Sequence, residues 1–279
     1  MKENEPTLEP GLHYGIPSKQ YFALPYASNS TLKAFGANPH KWKHGKPFQP
    51  TASMKHGSMV DCLLLTPERF EDEYALCVFD SFRTKEAREW RDKQQALGVD
   101  VVTVDESEAA TEAVKRIKEN KDALMAFNNS EKQAVVVFDL KDNKGRETRC
   151  KAMIDLVSTE YAVLTDLKTA VDASPQGFAR AAVNFGYAHQ AAFYLDGFNL
   201  ASGEATEREG FNFLVSENKE PYEVATYCLE LEAIEYGRRQ YMRNLTLWND
   251  CNEADEWPGY TSGWQTLELP NWAYAQEQI

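Results

Sequence analysis

The sequence predicts an α/β fold of the mixed α+β kind, a central mixed sheet that contains an antiparallel meander and is flanked by helices. Three observations lead there. Between Gln133 and Lys168 the apolar period drops to two, in three runs joined by short turns. Charged amphipathic patterns of helical period precede those runs, and helical patterns also follow them. The composition, 43% hydrophobic and 26% charged over 279 residues, is that of a globular chain long enough to bury a sizeable core.

The elements follow in order. Met1 to Pro10 reads as a disordered leader and Gly11 to Pro25 as turn-rich and irregular. Ser28-Asn29-Ser30 offers good N-caps for a short helix from Thr31 that stops at Gly36 and Pro39. A second helix runs from about Ser53 to Leu65 and ends at Thr66-Pro67. Its second half, Met59 to Leu65, is apolar nearly all round and therefore buried, except for Asp61. A carboxylate in that setting needs a salt bridge, a cap-like hydrogen bond or a metal.

Lys85 to Leu97 and Glu106 to Phe127 are charged amphipathic helices with solvated faces, separated by the β-branched stretch Val99 to Val104. Gln133 to Leu140, Glu147 to Val157 and Tyr161 to Lys168 are the three strands of the meander. Ser174-Pro175, a cap followed by proline at the first helical position, opens a helix to about Val183, and Tyr187 to Leu200 forms the next. Phe211 to Val215 and Glu223 to Leu229 add strands, and Ala233 to Trp248 is a long helix. The Trp-rich tail from Trp257 to Trp272 is irregular, with packing against the core favoured over base stacking or a subunit contact.

Several function classes fall away. No run approaches the length of a membrane span and the polar N-terminus lacks the apolar region of a signal peptide, so the expected location is the cytoplasm. The five cysteines are dispersed with no C-x-x-C pair, which argues for free, mostly buried thiols and against a zinc ribbon or iron–sulfur cluster. The net charge of -13 leaves two readings: no contact with nucleic acid, or contact through a basic groove under an acidic exterior.

Chemistry concentrates in the meander. In the second strand Arg149, Lys151, Met153 and Asp155 share one face, while Cys150, Ala152, Ile154 and Leu156 share the other and face the core. In the third, Leu164, Asp166 and Lys168 share a face, and the turn at Ser158-Thr159-Glu160 brings Asp155 and Asp166 onto neighbouring strands. Two carboxylates this close raise one another's pKa unless a cation sits between them. Mg²⁺ suits such a site because it takes a few carboxylate oxygens and keeps room for water and phosphate. Lys168 beside them can orient or deprotonate a water and stabilise transition-state charge. Taken alone, Asp-x-Lys on a strand edge is more simply an ordinary surface salt bridge.

With its surroundings, the pattern resembles a known family. Asp155 with Asp166-Leu167-Lys168 resembles the PD-(D/E)XK nuclease signature, and Gln190 to Tyr194 resembles the Q-x-x-x-Y helix motif of its RecB-like branch. Gly57 to Phe70 is similar to the G-x-x-x-H-x-L-L-x-x-P-x-x-F segment of RecE-type exonucleases, the exodeoxyribonuclease VIII group of phages and prophages, with Asp61 standing where that group has histidine. Ser28, Ser30, Leu32 and Lys33, with Pro39 and Trp42, resemble the group's first helix, and Glu131 falls where the family often carries an acid ahead of the meander.

The resemblance implies a leader and irregular segment over 1–27 and a single PD-(D/E)XK nuclease domain over 28–279. That domain would carry a helical insertion at about 81–130 and the Trp-rich tail at about 249–279. It further implies that Asp155, Asp166 and Lys168 are catalytic. The metal would be held by Asp155, Asp166, Asp61 and the Leu167 carbonyl, with Glu131 as a further candidate. Gln190 and Tyr194 would face the DNA or the site; Lys151 and Arg149, on Asp155's face, are candidate phosphate contacts. The implied activity is an ATP-independent, Mg²⁺-dependent exonuclease, with Mn²⁺ able to substitute. It would act 5′ to 3′ on double-stranded DNA ends as a ring-shaped homo-oligomer, with a RecT-type single-strand annealing protein as partner. An endonuclease or flap nuclease, and a catalytically impaired recombination accessory protein, are the alternatives.

Overall fold

The computed structural model describes residues 6–46, 49–79, 81–203, 207–260 and 263–269. The N-terminal part supplies β1 (Gly11–His13), α1 (Ser18–Ala23), β2 (Ala27–Ser28), α2 (Asn29–Ala37), α3 (Pro39–His44) and α4 (Ala52–Leu65). A short 3-10 turn leads to α5 (Phe70–Glu73) and β3 (Tyr74–Leu76), followed by α6 (Lys85–Ala96), β4 (Asp100–Val102), α7 (Val104–Glu119) and α8 (Lys121–Asn128). The meander is β5 (Ser130–Lys141), β6 (Glu147–Ser158) and β7 (Val163–Ala170). Then come α9 (Pro175–Phe185), α10 (Tyr187–Ser202), β8 (Gly210–Glu217), β9 (Val224–Cys228) and α11 (Leu231–Ala254).

The fold is the mixed α/β arrangement expected, and three local expectations change. Gly11 to Pro25 is not irregular: β1 pairs antiparallel with Val135–Val137 of β5, an edge that only the folded sheet provides. The helix expected over Glu106 to Phe127 is two helices, because Asn120 leaves helical geometry and its side chain accepts from Ala123 N at 3.0 Å to cap α8. Pro39 does more than stop α2; it opens α3, with Asn38 Oδ1 accepting from Lys41 N at 2.8 Å. The leader expectation for residues 1–5 lies outside the described residues.

The large sheet runs β1-β5-β6-β7-β8-β9, with β2 also against β6, while β3 and β4 form a separate parallel pair. β5 and β6 pair antiparallel almost throughout. β7 meets β6 at Leu156↔Thr165 and Val157↔Leu164, then leaves it to run parallel with β8 over its whole length. β2 takes up the freed edge lower down, at Cys150 and Lys151. A fork therefore opens in the sheet beside Asp155.

Each face of the sheet carries a core. On one, Val136, Phe138, Ala152, Ile154 and Phe213 meet Phe193 and Phe198 of α10, with α11 behind. Gly197 lets α10 lie against Phe138, and Gly237 lets α11 approach the Ala188 carbonyl, where an added Cβ would stand 1.9 Å from the oxygen. On the other face α4 (Met59, Val60, Leu64) and α7 (Ala113, Ile117) cover Leu167 and Leu214. Leu156 belongs to this second core, not with Ile154 as strict alternation requires, while Val157 joins the first. The slip occurs at Asp155, whose opposite number Gln133 has φ 50° and drops out of the paired register.

Candidate active site

The fork gathers the acids. The Asp155 Oδ2 atom fills the gap left by the departing strand and accepts from Leu167 N at 2.7 Å. Asp166 is buried; its Oδ1 accepts from Gln190 Nε2 at 2.6 Å and its Oδ2 is ion-paired with Lys168 Nζ. The Lys168 ammonium lies 5.0 Å from the centre of the Tyr187 ring. Asp61 reaches the cluster from α4, which passes close to β7 because Gly57, one turn earlier, has no side chain to meet Thr169. A cleft of about 260 Å³ leads in along Lys19, Ser58, Gln133 and Met153 to Asp61 and Asp155.

The electrostatics follow from packing three carboxylates around one ammonium. Burial, together with repulsion from Asp166, pushes Asp61 up to about 7 despite the attraction of Lys168. Burial and the charges of Asp166 and Asp61 raise Asp155 well above the usual carboxylate range. Asp166 is raised by burial, which outweighs Lys168 and Gln190. Burial alone would lower Lys168, but Asp166 and Asp155 overcome it and hold the ammonium charged.

The remaining expectations divide. Gln190 bridges Asp166 and the half-buried Tyr194, so these two side chains support the acids from α10. Lys151, a candidate phosphate contact, instead directs its Nζ to the carbonyls of Tyr21 (2.8 Å), Phe22 (3.2 Å) and Leu24 (2.6 Å), closing the C-terminal end of α1. Arg149 is likewise committed, to Asp139 at 2.5 and 3.0 Å. Glu131 stays exposed at the start of β5, hydrogen-bonded to Tyr14. Among the tail aromatics Trp257 packs beneath Lys43 at 4.2 Å, whereas Trp264 is fully exposed and so is no core residue; Trp272 lies outside the described residues.

Three nearby residues carried no role in the sequence reading. Gln133 lines the cleft and its Oε1 is buried without a hydrogen-bond partner. Tyr187 underlies Lys168. Lys33 Nζ donates to the Phe185 carbonyl at 2.6 Å, and burial and the charge of Lys168 lower its pKa. Only Lys33 had a signal, as part of the first-helix pattern. His189 is buried between Asn29 (2.7 Å) and Asn244 (3.2 Å), and burial lowers its pKa to about 4, so it is a neutral packing residue.

Among the described residues no three His, Cys, Asp or Glu side chains stand as a ready metal cage, and the Lys168 ammonium sits on Asp166 Oδ2. The donor set nevertheless fits a hard divalent cation. All its atoms are oxygens, three carboxylates face a single ammonium, and the orphaned Gln133 Oε1 lines the same cleft.

A family model described as a PDDEXK-like domain of unknown function (DUF3799) matches residues 28–269. The chain belongs to this family. The PD-(D/E)XK assignment agrees with the fork, and nucleases of this class generally use divalent metals. The crystal structure of a candidate exonuclease from Eubacterium rectale aligns over 96% of this chain and 100% of its own at 14% identity, with a TM-score of 0.61. That likeness shows the fold. A phage-related exonuclease from Haemophilus somnus 129PT aligns over 82% of this chain and 96% of its own at 10% identity, and its TM-score of 0.36 adds nothing further. No curated protein matches this PD-(D/E)XK chain.

Proposed function

We propose that this protein is a divalent-metal-dependent deoxyribonuclease that digests double-stranded DNA from its ends. The observation that carries the reading is the convergence of Asp155, Asp166 and Lys168, with Asp61 beside them, at the point where β7 leaves β6. Asp155, Asp166, Asp61 and the Leu167 carbonyl would hold Mg²⁺, or Mn²⁺ in its place. When bound, the ion supplies Lewis-acid polarisation of the phosphate and a more acidic water. Lys168, whose ammonium its carboxylates hold charged, would contribute a positive charge for the phosphoryl oxygens. Gln190 keeps Asp166 in one orientation. Nothing in this chemistry calls for ATP.

The charge distribution supports contact with DNA. From Pro10 to Pro67 the chain carries six lysines and one acid, Asp61, so the deficit that makes the net charge -13 lies elsewhere. That basic stretch contains α2, α3 and α4, the last bearing Asp61. By resemblance to RecE-type enzymes, digestion would run 5′ to 3′ and leave 3′ single strands for a RecT-type annealing protein. The working form would be a homo-oligomeric ring, and a monomer by light scattering would sink the ring.

The deciding experiment digests linear and covalently closed duplexes, labelled separately at the 5′ and 3′ ends, with and without Mg²⁺. Wild type should release label from linear DNA only, in the metal's presence, and lose at least about 100-fold in Asp166→Ala and Lys168→Ala. Cutting of closed circles would instead make it an endonuclease. Equal, negligible digestion by all three proteins would leave a non-catalytic accessory protein.

A further inference from the structure

Beside the catalytic cluster stands an aromatic ring that the fold leaves uncovered. Phe185, the last residue of α9, is 57% exposed. One side of its ring packs on Tyr187, with centroids 5.9 Å apart and planes 29° apart, and Tyr187 is the ring over which the Lys168 ammonium sits. A chain of two contacts thus joins an open aromatic surface to the catalytic lysine.

Lys33 completes the rim. It crosses from α2 to donate to the Phe185 carbonyl at 2.6 Å, and it can do so because the joint between α9 and α10 is a glycine. At Gly186, φ is 66°, and an added Cβ would lie 3.1 Å from Lys33 Cδ. The ammoniums of Lys33 and Lys168 are close enough to repel, and Lys33 keeps two unspent donors after its bond to Phe185. An anion near both relieves that repulsion, while a flat apolar surface beside it suits a base. A phosphate attached to a base is a nucleotide unit.

We propose that Phe185 is a stacking platform for the base of the nucleotide adjoining the cut, and that Lys33 holds that nucleotide's phosphate. The inference rests on the nuclease reading above. Bases inside a duplex show only their edges and an end pair shows one outer face, so the ring meets a base either at the end of the stack or on a nucleotide drawn out of it. On a nucleotide drawn out of the stack, Phe185 would help to part the strands at a DNA end as the strand to be cut enters.

The test is a double-mutant cycle between protein and substrate. Digestion rates are measured for wild type, Phe185→Ala, Phe185→Trp and Phe185→Leu on linear duplexes with either a normal or an abasic nucleotide next to the first cut. Wild type should lose between about 5-fold and about 150-fold on the abasic substrate, the usual worth of one stacked base. Phe185→Ala should be slow on the normal duplex by a similar factor and lose little more on the abasic one. Phe185→Trp should restore the wild-type pattern, whereas Phe185→Leu, apolar but unable to stack, should not. Lys33→Gln should weaken binding of short single strands that carry a phosphate at that position and leave strands lacking it unaffected. An equal abasic penalty in wild type and Phe185→Ala overturns the platform while leaving the nuclease intact. A change of oligomeric state in Phe185→Ala with an unchanged abasic penalty assigns the surface to a second copy and overturns it too. Failure of wild type to digest either duplex removes the nuclease reading, and this proposal with it.

Discussion

At the scale of single residues, the site is a small excess of buried negative charge held in place by a few hydrogen bonds. Asp61 shows the consequence most directly. In the unfolded chain it ionises near 3.8, and in the fold burial and Asp166 keep it protonated up to about 7. Between those values the native state binds more protons than the unfolded state, so this group's contribution to stability falls as pH rises from about 4 to 7 and is level above. Without metal, Asp61→Asn should therefore gain melting temperature over wild type progressively across that window; parallel curves would show that Asp61 is not perturbed. Gln190→Ala removes the amide that fixes Asp166 Oδ1 and leaves a buried carboxylate oxygen bare. It should cost about 10- to 100-fold in metal affinity or activity, read by titration calorimetry and by digestion rate. Asp155, Asp166 and Lys168 could be placed on neighbouring strands from the sequence because one short turn joins β6 to β7, and the resemblance to the PD-(D/E)XK signature singled them out. Lys151 and Arg149 shared Asp155's face equally well, yet the carbonyls after α1 and the Asp139 carboxylate claimed them. No pattern of alternation could tell those outcomes apart.

At the scale of elements, close approach of helices decides how firmly the acids are held. α10 carries Gln190 and Tyr194, and it is clamped between Phe138 of the sheet, opposite Gly197, and α11, opposite its own Ala188 carbonyl. Gly237→Ala should force α10 and α11 apart and destabilise the protein by about 1–3 kcal/mol, measured by urea unfolding. Digestion should fall with it, since Gln190 moves with α10. The same clamp is fastened by Arg238, whose guanidinium meets both oxygens of Asp196 at 2.7 and 2.8 Å. Helix and strand boundaries were read well wherever a cap or an alternating run was local, as with Ser28 capping α2 and Ser174 capping α9. β1, β2 and the break at Asn120 were not, since short strands exist only because β5 and β6 offer them edges.

For the whole molecule, the proposed function raises the question of how an acidic chain would meet a polyanion. The basic stretch from Pro10 to Pro67 concentrates lysine on the part of the fold that brings Asp61 to the site, and the acid is left to the remainder. Metal should also stabilise the whole fold, because it would neutralise carboxylates that otherwise repel one another. At 100 times its dissociation constant Mg²⁺ should add about 2.7 kcal/mol, or roughly 5 °C in melting temperature, and Asp155→Asn should abolish most of that gain. An equal shift in both proteins would place the ion elsewhere. Among the described residues no helix is long and apolar enough to cross a membrane.

By itself the sequence determined the fold class, the meander and the pairing of Asp155 with Asp166-Leu167-Lys168, because each depends on period, caps and turns within a short stretch of chain. Only the tertiary structure decided what lies around them. The fork beside Asp155, the slip in alternation opposite Gln133, the arrival of Asp61 past Gly57 and the exposed ring of Phe185 all arise where distant segments meet. Their energies depend on space and charge that no local pattern encodes.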